Sequence, residues 1–408
     1  MSRAAILALC LAQPGAAFLL APTARALVRV QPRLASSSSP YCAERGSFEE
    51  EQKEAERAET IEYFKTLGGF SFGSLGLFVA LTTGAGMEDV LAGNIVLVAL
   101  CAYGSYLLFF DGGVTQAALE QQAIQQLAEE EGDIMSSAPR ASVDPFDAKE
   151  LVSQPSAAVA TVVDDGYARV NGAISDTTAA TLLEYVNAEL EKKREEVKAG
   201  NIAESQQFGD VLMRENRYDL KLDLDPAVRA ALSEALPSLT PLFSGALGDD
   251  AELFELAALI SDPRSPRQPI HPDTPFRQGE GAVAITAFVA LQDVDEAMGP
   301  TAVIPGTHTA EAHERFNDRD DGGRERVAML RERPNHLGVL QTGDANLIDS
   351  RLIHCGGANE SSKRRVLFYF SFRAKGARTA PGSLLFSVRR EGYTLDNAED
   401  WAQPLQAA

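Results

Sequence analysis

Near the C-terminus, Val366, Phe368, Phe370 and Phe372 alternate with Leu367, Tyr369 and Ser371. Alternation at period two sends successive side chains to opposite faces, so the stretch predicts a strand with one strongly aromatic face. Such a face must be covered. Other strand-like runs stand ahead of it at residues 253–260, 282–291, 301–304, 338–340 and 345–348. Short strands separated by turns predict a mainly β fold, an antiparallel sandwich or jelly roll. Further upstream, Ser175 or Asp176 can cap a helix whose Leu182, Leu183, Val186 and Leu190 form an apolar stripe. Its far end, 189–198, is nearly all charged and reads as a solvated face. A second helical stretch runs from about Pro226 to Leu247, and the two helices are expected to buttress one sheet. Residues 157–163 form a short apolar run that ends at the turn signal Asp164-Asp165-Gly166.

The first third has a different character. Residues 1–43 contain no Asp or Glu but carry Arg3, Arg25, Arg29 and Arg33, with a short apolar run after Arg3 and small residues around Phe18. That order is a signal peptide followed by a transit-like stretch. It resembles the two-part plastid presequence of algae with secondary plastids; plain secretion is the alternative. Residues 44–65 form an acidic charged segment. From 66 to 87, and again from 90 to 110, no residue is charged, and each run meets the roughly 20-residue length of a membrane-crossing helix. Only Glu88 and Asp89 separate them, so a tight transmembrane hairpin is expected over 66–110. Lys53, Arg57 and Lys65 place its ends on the cytoplasm-like side, the stroma in a plastid. The alternatives are another endomembrane or secretory membrane, or a buried helical pair in a soluble protein. Residues 111–155 read as a helix (116–131) and a flexible Ser- and Pro-rich linker (136–155), and 381–408 as a C-terminal extension.

Charge and cysteine content narrow the chemistry. With 37 basic and 58 acidic residues the net charge is −21, which excludes a nucleic-acid binder needing a basic surface. Of four cysteines only Cys355 lies beyond the apolar segments, so the last 250 residues hold no internal disulfide and no thiolate zinc site. There are five histidines. His271-Pro272-Asp273 is an H-x-D step after a strand-like run, and His354 follows another. Two imidazoles and one carboxylate on one face of Fe(II) leave three positions open, as oxygen activation with a chelating cosubstrate requires. Arg365 stands eleven residues after His354, where a guanidinium can grip a dicarboxylate through paired hydrogen bonds. Strand alternation favours Arg365 over Arg364. Gly299-Pro300-Thr301 leads into Ile304-Pro305-Gly306-Thr307-His308.

Taken together, "QPIHPDTPF", "AFVALQDVDEAMGPTAVIPGTH", "GDANLIDSRLIHCGGANESSKRR" and "VLFYFSF" resemble the phytanoyl-CoA dioxygenase family of Fe(II)/2-oxoglutarate oxygenases. The resemblance covers roughly 157–372. It implies a double-stranded β-helix (jelly roll) over 156–380. It implies iron ligands at His271, Asp273 and His354, Arg365 on the C5 carboxylate of 2-oxoglutarate, and Phe288 as an aromatic beside the cosubstrate. The implied reaction consumes O2 and converts 2-oxoglutarate to succinate while the substrate is oxidised. Some members carry a Ser two residues after the distal His, where this chain has Gly356. Asp273 separates the chain from related halogenases, which have a small residue there, and favours hydroxylation or desaturation.

The substrate is expected to be small, and either lipid-soluble, given the anchor, or anionic, given Arg264, Arg267 and Arg277 around the H-x-D step. His308 reads as structural, His313 and His336 as loop residues, Cys355 as structural, and the charged run 318–326 as a mobile loop or lid. Two rival readings are a catalytically silent membrane-tethered jelly-roll scaffold and an oxygenase acting on protein side chains. Intact ligands oppose the first; Arg365 in place of Lys, with the G-P-T segment, opposes the second.

Overall fold

The computed structural model describes residues 121–319, 323–379, 382–389 and 392–403. The presequence, the acidic segment and the two apolar runs expected to form a hairpin lie outside these residues. Among the described residues no helix is long and apolar enough to cross a membrane.

The domain is built on two sheets. Strands β1 (Phe146–Asp147), β2 (Tyr167–Asn171), β3 (Arg217–Lys221), β4 (Glu252–Ser261), β5 (Ala284–Ala290), β8 (Ala345–Asp349) and β10 (Arg365–Arg373) form a seven-stranded sheet in the order β1-β2-β8-β5-β10-β4-β3. Strands β6 (Thr301–Val303), β7 (His336–Leu337) and β9 (His354–Gly356) form a three-stranded sheet in the order β7-β6-β9. All pairings are antiparallel except β1 with β2. Val303 of the small sheet packs with Tyr167, Ile348, Leu352 and Phe288, which joins the two sheets face to face.

The alternation in β10 decides which side chain meets which layer. Val366, Phe368, Phe370 and Phe372 point outward into the main core, where Phe243 lies 5.8 and 5.0 Å from the rings of Phe370 and Phe372. Arg365, Leu367, Tyr369 and Ser371 face the small sheet, and Tyr369 stacks 5.3 Å from Phe288. Register therefore sets rows of inward side chains across the large sheet. Glu255, Ser371, Thr286 and Ile348 are successive cross-strand partners; the next row is Ala257, Tyr369, Phe288 and Asn346. The inner face is polar where the outer face is aromatic.

Helices cover the outer face. α2 (Ser156–Asp165) accounts for the apolar run at 157–163 and ends on Gly166 in the left-handed region. α3 (Asp176–Lys198) is capped by Ser175, which accepts the Thr178 N–H, and buries Leu182, Val186 and Leu190. α4 (Pro226–Leu247) contains Pro237 and Pro241, each of which removes a helix hydrogen bond at a cost of about 3 kcal/mol. Burial of Val228, Leu232, Leu236, Leu239, Leu242, Phe243 and Leu247 offsets that, at roughly 1.5–3 kcal/mol per large apolar side chain. The outer face of the small sheet is covered separately. There α1 (residues 121–137), α5 (Ala310–Asn317) and α6 (Arg324–Glu332) supply Met135, Ala312, Phe316, Met329 and Leu330 against Ala302, Ile353 and Cys355.

Several expectations are corrected. The stretch expected to be a flexible linker, 136–155, is built into the domain. Ala138, Ala148 and Leu151 are buried, and Phe146–Asp147 pairs with β2. The run at 338–340 is not a strand; pairing with β6 falls on His336–Leu337 and ends with Gly338 N–H on the Thr301 carbonyl, after which Leu340 turns to an isolated bridge with Val294. The run expected as a lid, 318–326, ends inside α6, where Arg326 makes a bidentate pair with Glu131 of α1 at 2.5 and 2.7 Å. The segment after 381 also packs. Trp401 is buried, lies 6.3 Å from Phe372 and 5.1 Å from Tyr393, and donates its indole N–H to the Thr394 carbonyl. Trp401→Ala is expected to cost about 3–5 kcal/mol, read as a fall in the denaturation midpoint. An unchanged midpoint would make this segment peripheral.

Candidate metal centre

The ligand geometry begins with a backbone pairing. His271 N–H donates to the His354 carbonyl and His354 N–H to the His271 carbonyl, both at 2.9 Å, so the two residues form a directly opposed antiparallel pair. Their rings lie 4.6 Å apart. Asp273, two residues beyond His271, brings Oδ1 to 3.6 Å from His271 Nε2 and 3.8 Å from His354 Nε2. One donor atom from each of the three lies within 4.8 Å of the others.

The orientation of both rings has the same local cause. His271 Nδ1 meets the Pro269 carbonyl at 2.8 Å and His354 Nδ1 the Leu352 carbonyl at 2.9 Å. A carbonyl only accepts, so each Nδ1 carries the proton and each Nε2 keeps its lone pair for the shared point. Burial lowers the His354 pKa, against the pull of Asp273, so the ring is neutral as a metal ligand must be. Asp273 sits at the mouth. Desolvation works to raise its pKa, but His354 and His271 outweigh it and hold the carboxyl below its ordinary range. Two neutral nitrogens and one carboxylate are a donor set suited to Fe(II).

Arg365 is fully buried at the start of β10. Its Nη2 donates to Ser261 Oγ at 2.9 Å, while Nε and Nη1 have no partner. Across β4, Arg217 spends its guanidinium differently, on Ser261 Oγ and on the carbonyls of Leu212, Met213, Pro266 and Gly357. Burial first, and Arg217 second, push the Arg365 pKa down to about 9. A buried cation with two idle donors is costly alone, and a carboxylate satisfies it. Arg364 turns the other way, onto Asp262 and Asn187.

A protein-family model described as phytanoyl-CoA dioxygenase (PhyH) matches residues 162–367. The chain belongs to this family. No curated protein matches it. Among solved structures it is similar to the non-heme alpha ketoglutarate dependent carbocyclase SnoK from nogalamycin biosynthesis, at 20% identity and TM-score 0.43, over 65% of this chain and 97% of that one. It is also similar to the epimerase SnoN in complex with Fe3+, alpha ketoglutarate and nogalamycin RO, at 21% identity and TM-score 0.39, over 56% and 88%. AviO1 from Streptomyces viridochromogenes Tue57 stands at 19% identity and TM-score 0.39, over 55% and 97%. At such identities and TM-scores the likeness says nothing about substrate.

The phytanoyl-CoA dioxygenase family uses Fe(II) and 2-oxoglutarate, and the residues present fit both: an N, N, O donor set and a buried guanidinium with free donors. Phe288 lies on the inner face beside Tyr369. Gly356, where some members carry a Ser, packs against Gln268. Gln268 Oε1 accepts the Gly356 N–H at 3.0 Å, and a Cβ on Gly356 would sit 2.3 Å from that oxygen.

Other residues fall into place around the centre. Cys355 points away from it, into the core under α1. His308 Nε2 donates to the Val163 carbonyl at 3.1 Å, an interior structural bond. Arg267 does not face the centre: its side chain lies against Gly132 of α1 and beside Cys355. Arg264 holds a turn at positive φ. His313 is buried rather than a loop residue, and neither it nor Arg217 or Gln268 stands out in the sequence.

The inner face beside the centre carries two carboxyls with no ion-pair partner among the described residues. Glu255 accepts from Ser371, and Asp219 accepts from the Tyr369 hydroxyl at 2.7 Å. Burial raises Asp219 to about 7 and Glu255 to about 8. An acid raised in the fold is destabilising once the unfolded chain ionises, so stability falls as pH climbs from about 4 toward 7–8. Asp219→Asn keeps an acceptor for Tyr369 without that titration. Its stability relative to the parent is expected to rise between pH 5 and 8, by on the order of a few kcal/mol. Equal denaturation profiles across that range would contradict this.

Proposed function

We propose that this chain is an Fe(II)/2-oxoglutarate-dependent dioxygenase that hydroxylates a small substrate. The observation that carries the reading is the convergence of His271, Asp273 and His354 with an idle, buried Arg365 on the same interior. His271, Asp273 and His354 would hold the iron; Arg365 would hold the far carboxylate of 2-oxoglutarate, with Phe288 as an aromatic beside the cosubstrate. Together the two groups supply oxygen activation coupled to decarboxylation of 2-oxoglutarate to succinate. The protein's own part is positional. The Pro269 and Leu352 carbonyls fix which imidazole nitrogen is offered, and Asp273 stands as the third donor beside both Nε2 atoms. Asp273 at the third position favours hydroxylation over halogenation.

The membrane placement, at a plastid membrane with this domain toward the stroma, enters the proposal from the first 110 residues of the sequence alone. It favours a lipid-soluble substrate. The row Glu255, Ser371 and Thr286 favours one that also carries a polar group near the oxidised carbon, and Arg267, turned to α1, weakens the anionic reading.

The test is succinate formation by the full chain in detergent with Fe(II), 2-oxoglutarate and O2, with and without a plastid lipid extract. Iron-dependent succinate, raised by the extract, is the expected result. Iron binding without any 2-oxoglutarate consumption would favour the silent scaffold.

A further inference from the structure

We infer that His313 is a positioning residue, whose one imidazole ties the two metal-ligand loops to each other. This rests on the reading of His271, Asp273 and His354 as the iron ligands. His313 Nδ1 accepts the Phe276 N–H at 3.2 Å, and its Nε2 donates to the Arg351 carbonyl at 2.7 Å. Phe276 lies three residues after Asp273, and Arg351 three before His354. Both ligand-bearing loops therefore end on opposite sides of a single ring.

The ring is well placed to hold them. It is buried, at 4% exposure, on the first turn of α5, whose N-cap Thr309 accepts the Ala312 N–H. The preceding turn is anchored by the same strand that carries the distal ligand. Thr307 Oγ1 donates to the Ile304 carbonyl at 2.6 Å and accepts the N–H of Ile353, the neighbour of His354, at 3.0 Å. Arg351 closes the arrangement by pairing with Asp349 at 2.7 Å while its guanidinium lies 5.9 Å from the Phe276 ring. Two further ties join the loops directly, from Thr274 N–H to the Ser350 carbonyl at 2.8 Å and between Thr274 Oγ1 and Ser350 Oγ at 2.7 Å.

The two bonds of His313 require opposite roles of its nitrogens, acceptor at Nδ1 and donor at Nε2. Only the neutral ring with its proton on Nε2 offers both. Burial lowers the His313 pKa in the same direction. The charged or titratable groups facing it are Arg351, Asp349 and His308. A leucine of similar volume fills the space but leaves the Phe276 N–H and the Arg351 carbonyl without partners. The loops then keep the His271–His354 pairing but lose the tie that fixes their outer ends on α5.

The experiment uses the full chain and Mn(II) as the probe. His313→Leu is expected to bind Mn(II) about 10-fold more weakly, the low end of the loss seen when a group bonded directly to a metal ligand is removed, and to exchange the Phe276 amide faster. His313→Gln, which keeps a donor and an acceptor, is expected to recover part of both. Phe316→Leu, on the same helix, lowers the melting temperature with Mn(II) affinity unchanged. Parental Mn(II) affinity in His313→Leu would overturn the inference. If that variant does not fold, the parent decides: an unprotected Phe276 amide would overturn it as well. A parent that binds no Mn(II) would instead remove the proposed function, leaving the bridge to the amide exchange.

Discussion

Arg365→Met is expected to raise the KM for 2-oxoglutarate by at least about a hundredfold and, in the same protein, to raise the melting temperature of the ligand-free chain. The first effect follows from losing the idle Nε and Nη1 donors. Charge-assisted hydrogen bonds contribute roughly 1.5–3 kcal/mol each, so two of them are about 3–6 kcal/mol, or two to four decades. The second follows from the same idleness. Arg365 is fully buried, no carboxylate pairs with it among the described residues, and its only bonded partner, Ser261 Oγ, still accepts from Arg217. Methionine keeps the unbranched apolar stem and removes the buried charge, so the empty fold gains on the order of 1–3 kcal/mol. Arg365→Lys should fall between, keeping the charge but not the fork. Kinetics and thermal denaturation on one preparation check both. A variant that loses stability and keeps its KM would show that Arg365 is a structural ion.

Asp273→Ala is expected to abolish metal binding and succinate formation while leaving the ligand-free fold close to the parent. Removing a mere outer-shell partner of a metal ligand costs 10–100-fold in affinity, so removing a ligand must cost more than about a hundredfold. The carboxylate is 43% exposed at the mouth of the site, so its loss opens no core cavity. The stabilisation that metal adds to the parent is about 2.7 kcal/mol at a hundredfold excess over Kd. It should vanish in the variant. His354→Ala should lose metal as completely but destabilise as well, because its buried ring fills space between the sheets.

How much of this was legible in the sequence depended on whether the deciding bond is local. The strand over 366–372 was readable because its two faces meet different surroundings, an aromatic helix layer and a polar interior. H-x-D was readable because two residues suffice to aim an imidazole and a carboxylate at one point. β3 was missed although Tyr218, Leu220 and Leu222 alternate with Arg217, Asp219 and Lys221: the second face is charged throughout, so the stretch reads as a polar connection unless the alternation is counted. β9 is three residues long, too short for any periodicity. His313 looked like a loop residue because its partners are backbone groups 37 and 38 positions away, and backbone leaves no mark in side-chain composition. Residues 136–155 looked like a linker by their Ser and Pro content, yet a few small and apolar side chains, Ala138, Ala148 and Leu151, seat them against the core.

The central claim is that His271, Asp273 and His354 share one iron. Anaerobic titration of the full chain with Fe(II), followed by 2-oxoglutarate, tests it most directly. One Fe(II) per chain is expected, with 2-oxoglutarate binding only after iron and neither event in Asp273→Ala. Fe(II) uptake that is absent in the parent, or equal in the parent and Asp273→Ala, would contradict it.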